Sequence, residues 1–254
     1  MDYFDISAVG IIPARYASTR FPGKPLARIN GVSMVERVYR QASLTTKLKS
    51  VIVATDDQRI LDHVKSFGGR VIMTSSSHLS GTDRIEEVIS KLEANSEIYD
   101  VAINIQGDEP FIHPSQIESV IEIFQNPSAE IGTLIKQLNN NDDLFNPNVV
   151  KVVVDGHGKA MYFSRSPIPF VRNATSDQWM KDHVFYKHIG IYGYRTDTLK
   201  EITALKTAPL EASESLEQLR WMFNGYTIYT TVTEIDTIGI DTPEDLSKLI
   251  NNPC

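Results

Sequence analysis

Short, β-branched, mostly apolar runs alternate along the first half of the chain with stretches whose apolar residues recur every three or four positions. Val9–Pro13, Ser50–Thr55, Arg70–Met73 and Val101–Ile105 are too uniformly apolar for a sheet with one wet face. They read as strands of a parallel sheet covered by helices on both sides. Between them, Met34, Val35 and Val38 begin one helical stripe. Ile60, Leu61, Val64 and Phe67 form a second, closed by Gly68, and Ile85, Val88, Ile89 and Leu92 a third. Pro114, at a first helical position, opens a fourth through Ile117, Val120, Ile121 and Phe124.

The rhythm changes after about residue 145. Val149–Val154, Asp155-Gly156-His157-Gly158 and Lys159–Phe163 read as a hairpin with its turn chemistry in place, which makes the sheet mixed. A loop-like stretch from Arg172 to Asp182 precedes a strand at His188–Tyr194. A helix over Ala212–Phe223 leads to a strand at Tyr226–Val232, and Thr242 caps a last helix with Asp245 three residues on. The expected fold class is α/β: a Rossmann-like, mainly parallel mixed sheet flanked by helices, with a hairpin-containing insertion. The 254 residues form one domain, with an inserted subdomain at about 145–225.

Composition narrows the function classes. Apolar residues make up 41% and charged residues 22% of the chain, and no apolar run approaches the roughly 20 residues of a membrane span, so no membrane insertion is expected. The start of the chain carries Asp2 and Asp5 ahead of any basic residue, unlike an export signal. Cys254, the single cysteine, has no internal partner, which fits a reducing cytosol and equally many other compartments; a cytoplasmic location is the expectation. A net charge of -7 argues against a nucleic-acid surface. Any anion site must be a local cluster.

Such a cluster follows the first strand. Ala14 and Arg15 lead into a loop running to Leu26 that carries Arg15, Arg20 and Lys24 with small residues such as Ser18. Ligands of open α/β sheets bind beyond the carboxyl ends of the strands, where backbone N–H groups and cations can wrap a triphosphate. A solvated basic turn is the plainer alternative. A dinucleotide-type Gly-x-Gly-x-x-Gly is absent, and Gly23-Lys24 lacks the glycine at position 18 that a Walker A loop needs.

Gln106-Gly107-Asp108-Glu109-Pro110 follows the strand Val101–Ile105, so Asp108 projects at the same edge. A carboxylate beside phosphates is explained by Mg²⁺, which takes one or two protein carboxylates along with phosphates and water. Asp241 is the candidate second ligand, although alone it reads as a residue bonding local backbone before a helix. Ser80 and Gly81 sit where a nucleotide could meet a helix N-terminus, with Arg84 placed to read a base. By themselves they are only a good cap. Arg165, His188, Tyr192, Glu217 and Gln218 could hold an acid sugar, and each singly reads as structural.

Together these segments resemble the 3-deoxy-manno-octulosonate cytidylyltransferases. The likeness runs nearly end to end, through Ile11–Leu26, Gln106–Pro110, Phe145–Asn148, Tyr162–Arg165, His188–Arg195, Leu216–Arg220 and Asp241–Asp245. Where the family has Arg-Leu-Pro-Gly-Lys, this chain has Phe21, and residues 172–187 match least. The resemblance implies a homodimer built through the insertion, which would also bind the sugar, and Mg²⁺ held by Asp108 and Asp241. It further implies CTP phosphates on Arg15 and Lys24, cytosine near Arg84 and Gln106, and 3-deoxy-D-manno-octulosonate (Kdo) facing Arg165, His188, Tyr192, Glu217 and Gln218. The expected activity is transfer of CMP from CTP to Kdo, in lipopolysaccharide synthesis.

Overall fold

The computed structural model describes residues 5–17, 20–237 and 239–251. Strand β1 (Ala8–Ala14) leads through a 3-10 turn at Lys24–Leu26 into a small hairpin, β2 (Arg28–Ile29) and β3 (Val32–Ser33), and then helix α1 (Met34–Ala42). Next come β4 (Leu48–Thr55), α2 (Gln58–Ser66), β5 (Val71–Met73), α3 (Gly81–Ala94), β6 (Val101–Asn104) and α4 (Pro114–Ile123). The second half holds β7 (Ile131–Gln137), α5 (Asn141–Phe145), β8 (Lys151–Val154), β9 (Ala160–Ser164), α6 (Trp179–Asp182) and β10 (Tyr186–Arg195). It ends with α7 (Thr196–Thr203), α8 (Pro209–Glu214), α9 (Gln218–Phe223), β11 (Ile228–Val232) and α10 (Pro243–Asn251).

The main sheet runs β11-β7-β10-β6-β1-β4-β5, and β8 and β9 extend from β10 as the expected hairpin. β10 alone in that seven-strand row is antiparallel to its neighbours. The uniform hydrophobicity of the strands follows from burial on both faces. Ile12, Val53 and Ile103 face α1, α2 and α4 through Val35, Val64 and Val120. Val9, Ile11, Ile52 and Ala102 face the other core, with Ile85 and Val88 of α3, Leu199 of α7 and Trp221 of α9. Each such Val, Leu or Ile side chain contributes about 1.5–3 kcal/mol by leaving water.

Several local readings hold. Gly68 ends α2 with φ +79°, Asp155 Oδ1 accepts from His157 N and Lys159 N in the hairpin turn, and Thr242 and Asp245 cap α10 reciprocally. Others change. β7 and α7 were not anticipated. The helix expected over Ala212–Phe223 is two helices, because Ser215 takes a left-handed conformation at φ +51° and stops α8. Of the segment 145–225, β10 lies inside the main sheet while β8 and β9 project from it. Among the described residues no helix is long and apolar enough to cross a membrane.

Candidate active site

The carboxyl ends of β1, β4 and β6 lie at one edge of the sheet, and the loops that follow β1 and β6 form a cleft of about 310 Å³. Ala14, Arg15, Arg20, Lys24, Gln106 and Asp108 line it. Gly107 is required where two loops meet: a Cβ there would stand 2.7 Å from the carbonyl oxygen of Pro13. Gly23, at φ +72°, turns the chain so that Lys24 enters the 3-10 turn, and its N–H donates to Tyr16 O at 2.9 Å. The C-terminal loop joins through Ile240 N, which donates to Asp108 O at 2.9 Å.

These contacts gather charge. Lys24 Nζ lies 2.9 Å from Asp108 Oδ2 and 3.3 Å from Asp241 Oδ1. Arg20 donates to both oxygens of Asp241, at 3.1 and 3.3 Å. Two carboxylates from loops 133 residues apart therefore converge on one cationic group. An all-oxygen pair of this kind fits a hard divalent cation that keeps its remaining positions for phosphate and water. Among the described residues no group of three or more acidic, His or Cys side chains is clustered as a metal cage. Behind Asp108, burial first and the Asp108 charge second push the Glu109 carboxyl up to about 7, against a bond from Thr237.

The adjoining flank is built on a buried ion pair. Arg84 is completely buried, donates to Asp56 Oδ2 at 2.9 Å and bonds the Thr74 hydroxyl. Arg15 Nε stands 4.0 Å from the same Asp56 oxygen. Arg84 thus lies beneath the loop that carries Arg15. Ser80 and Asp83 form a reciprocal cap on α3, and Gly81 lies beside Pro13 of β1. Ser18 falls outside the described residues.

The remaining candidate residues sit on β10 and at the start of α9. Gln106 Nε2 donates to Gly190 O at 3.0 Å, tying the loop after β6 to β10. His188 and Tyr192 project from β10 with ring centroids 5.1 Å apart, and Tyr192 meets Trp221 of α9 edge-on. Glu217 Oε2 accepts from Thr82 at 2.9 Å and Oε1 stands 3.3 Å from Arg220, while burial raises its pKa. Gln218, the next residue, is buried at the start of α9. Arg165 is engaged elsewhere: its guanidinium donates to the carbonyls of Glu214, Pro147 and Ser215. The structure therefore brings Arg15, Lys24, Asp108, Asp241 and Gln106 together, joins Glu217 to α3, and sets Arg165 behind the α8–α9 turn.

Residues 9–231 match the sequence model of the family described as Cytidylyltransferase. The chain belongs to the cytidylyltransferase family. This cytidylyltransferase is 56% identical to the 3-deoxy-manno-octulosonate cytidylyltransferase of Parabacteroides distasonis, over 95% of the chain and 96% of the relative. It is 53% identical to the protein of that name from Cytophaga hutchinsonii, over 96% and 97%. Its fold superposes with TM-score 0.88 on a CMP:2-keto-3-deoxy-manno-octonic acid synthetase complexed with CTP, at 42% identity over 96% and 97% of the two chains. A Leptospira borgpetersenii cytidylyltransferase, at 16% identity and TM-score 0.60, shares the fold.

Four residues of the cytidylyltransferase's site were not singled out from sequence. Asp56 had a signal, since it follows a buried strand at the same edge as Arg15 and Asp108. Glu109 adjoins Asp108 in the same motif. Thr82, bonded to Glu217, and Thr133, 3.0 Å from His188 Nε2, had none, because a buried threonine is distinguished only by the partners the fold gives it.

Proposed function

We propose that the protein transfers CMP from CTP to Kdo and releases pyrophosphate. The observation that carries this reading is the Lys24 ammonium held between Asp108 and Asp241, at the strand-end cleft of a chain more than half identical to named 3-deoxy-manno-octulosonate cytidylyltransferases. Arg15 and Lys24 bind and offset the phosphate charge of CTP, and Arg20 and Ala14 complete the loop around it. Ser80, Gly81 and Gln106 border the nucleoside, with Arg84 supporting that wall through Asp56.

Asp108 and Asp241 would hold Mg²⁺, which supplies charge neutralisation at the α-phosphate when bound. The hydroxyl on the anomeric carbon of Kdo attacks the α-phosphorus in line. One P–O bond forms as the bond to the bridging oxygen breaks, and no covalent enzyme intermediate is needed. What the chain contributes is positioning and electrostatic stabilisation. His188, Tyr192, Glu217 and Gln218 orient the sugar, and Arg165 fixes the turn that carries Glu217.

The same reading makes 145–225 the sugar-binding and dimer-forming part of the protein, acting in the cytoplasm on a lipopolysaccharide precursor. Met161 and Phe170 of this segment are exposed, at 64% and 73%. Sedimentation showing a monomer at micromolar concentration would remove the dimer-forming role. The test of the reaction is pyrophosphate release with CTP, Kdo and Mg²⁺, with UTP and neuraminic acid as controls. Release requiring both CTP and Kdo is expected; release with neuraminic acid instead would move the sugar assignment, and none under any pairing would end the catalytic reading.

A further inference from the structure

The hydrogen bonds of a buried threonine determine which nitrogen of His188 carries its proton. β10 pairs with β7 through Ile189 opposite Leu134 and then Tyr192 opposite Thr133, so Gly190 and Ile191 bulge from the ladder. Three successive carbonyls of this bulge are bonded by side chains from other strands and loops. Thr133 Oγ1 lies 2.7 Å from Ile191 O and 3.2 Å from Ile189 O, and Gln106 Nε2 donates to Gly190 O at 3.0 Å. The same Thr133 Oγ1 is 3.0 Å from His188 Nε2.

A hydroxyl has one proton and a carbonyl only accepts. The Thr133 proton therefore goes to Ile191 O, shared at longer range with Ile189 O. Thr133 can only accept from His188, so Nε2 carries the ring hydrogen. Burial pushes the His188 pKa down to about 3, which keeps the ring neutral. In a neutral imidazole protonated at Nε2, Nδ1 is an acceptor.

We propose that Thr133 is a positioning residue that fixes His188 as its Nε2–H tautomer, making Nδ1 a standing hydrogen-bond acceptor for a hydroxyl of the acceptor sugar. Thr133 is completely buried, so it cannot touch the sugar itself and reaches it through His188. Through Gly190 the same bulge is tied to Gln106, two residues before Asp108, so the sugar wall and the phosphate loop share one support. The proposal rests on the reading that His188 faces Kdo.

Nitrogen-15 NMR of histidine-labelled protein, with His188→Gln identifying the signal among the six histidines, reads the tautomer without substrate. The expected pattern is protonated Nε2 and bare Nδ1. Thr133→Val keeps the shape and removes the hydroxyl. It should lose the single-tautomer pattern and raise KM for Kdo about three- to tenfold, the value of one hydrogen bond, with KM for CTP nearly unchanged. Thr133→Ser should restore both. A protonated Nδ1 in the wild type overturns the proposal even where the valine variant does not fold, and so does an unchanged KM for Kdo in that variant. A wild type with the expected tautomer but no turnover of Kdo leaves the fixed tautomer standing and removes the sugar from it.

Discussion

Arg84→Met separates two roles for one side chain: supporting the nucleotide wall or reading the base. The guanidinium has no exposed surface and is bonded to Asp56, whose side chain is 13% exposed, and to Thr74. Removing one partner of a buried ion pair costs about 3–5 kcal/mol, because the remaining charge is left uncompensated. Asp56 keeps some water and has Arg15 at 4.0 Å, which places the cost at the low end, about 3 kcal/mol. In a chain of this size each kcal/mol moves Tm by about 2–4 °C, so the expected fall is roughly 6–12 °C. Since Asp56 also steadies Arg15, KM for CTP should rise, by less than about tenfold or 1.4 kcal/mol. Calorimetry and steady-state kinetics on the same samples make the measurement. Adding Asp56→Asn to the variant should cost much less than the sum of the single changes, since the stranded charge is then gone. An unchanged Tm with a large, CTP-specific rise in KM would refute the structural role and place the guanidinium on the base.

Glu109→Gln addresses pH. The Glu109 pKa is raised from the ordinary value near 4.5 to about 7, so between those values the folded protein holds a proton the unfolded chain has lost. Stability therefore falls as pH rises from about 4.5 through 7, by about 3 kcal/mol in the metal-free protein. The variant should flatten that slope in urea unfolding at several pH values, and a slope unchanged from wild type would disprove the assignment. Arg165→Ala leaves the carbonyls of Glu214, Pro147 and Ser215 without their donor, so KM for Kdo should rise and Tm should fall while KM for CTP stays within about twofold, less than 0.5 kcal/mol. Equal damage to both substrates would mean that the turn does not serve the sugar side.

What sequence could and could not reveal follows from the range of each interaction. β1, β4 and β6 were legible because burial on both faces removes polar positions altogether, and the caps of α3 and α10 are contacts between near neighbours. β7 was not, because Gly132 and Thr133 interrupt its apolar run, and both are placed by tertiary contacts: Gly132 against Ile123 of α4, Thr133 under the bulge of β10. The break between α8 and α9 is likewise tertiary. Arg165, 49 residues away, binds Glu214 O and so terminates a helix that local pattern would continue through Ser215. Loops after buried strands identified Arg15, Lys24 and Asp108 as neighbours at one edge. Spacing did not disclose that Lys24 would stand between the two carboxylates, nor that Arg84 would turn inward to Asp56.

The free site is close to charge balance, and this predicts an effect of Asp108→Asn that runs opposite to its effect on turnover. Arg20 and Lys24 stand against Asp108 and Asp241, with Lys24 shared by the two, and Arg15 lies beside the Arg84–Asp56 pair. A triphosphate entering without metal must draw Lys24 from its carboxylates and then lie beside them. Removing the Asp108 charge relieves both costs. At about 4 Å a unit charge is worth about 1 kcal/mol in water and about 4 kcal/mol near a protein surface. Taking the lower figure for the open cleft, Asp108→Asn in EDTA should bind CTP about fivefold more tightly than wild type in calorimetric titration. With Mg²⁺ and Kdo the same variant should turn over about a hundredfold or more slowly, since its group is then missing where charge develops. Weaker CTP binding without metal would mean that Asp108 holds the loop by geometry and not by charge. Near-normal turnover would remove it from the metal pair.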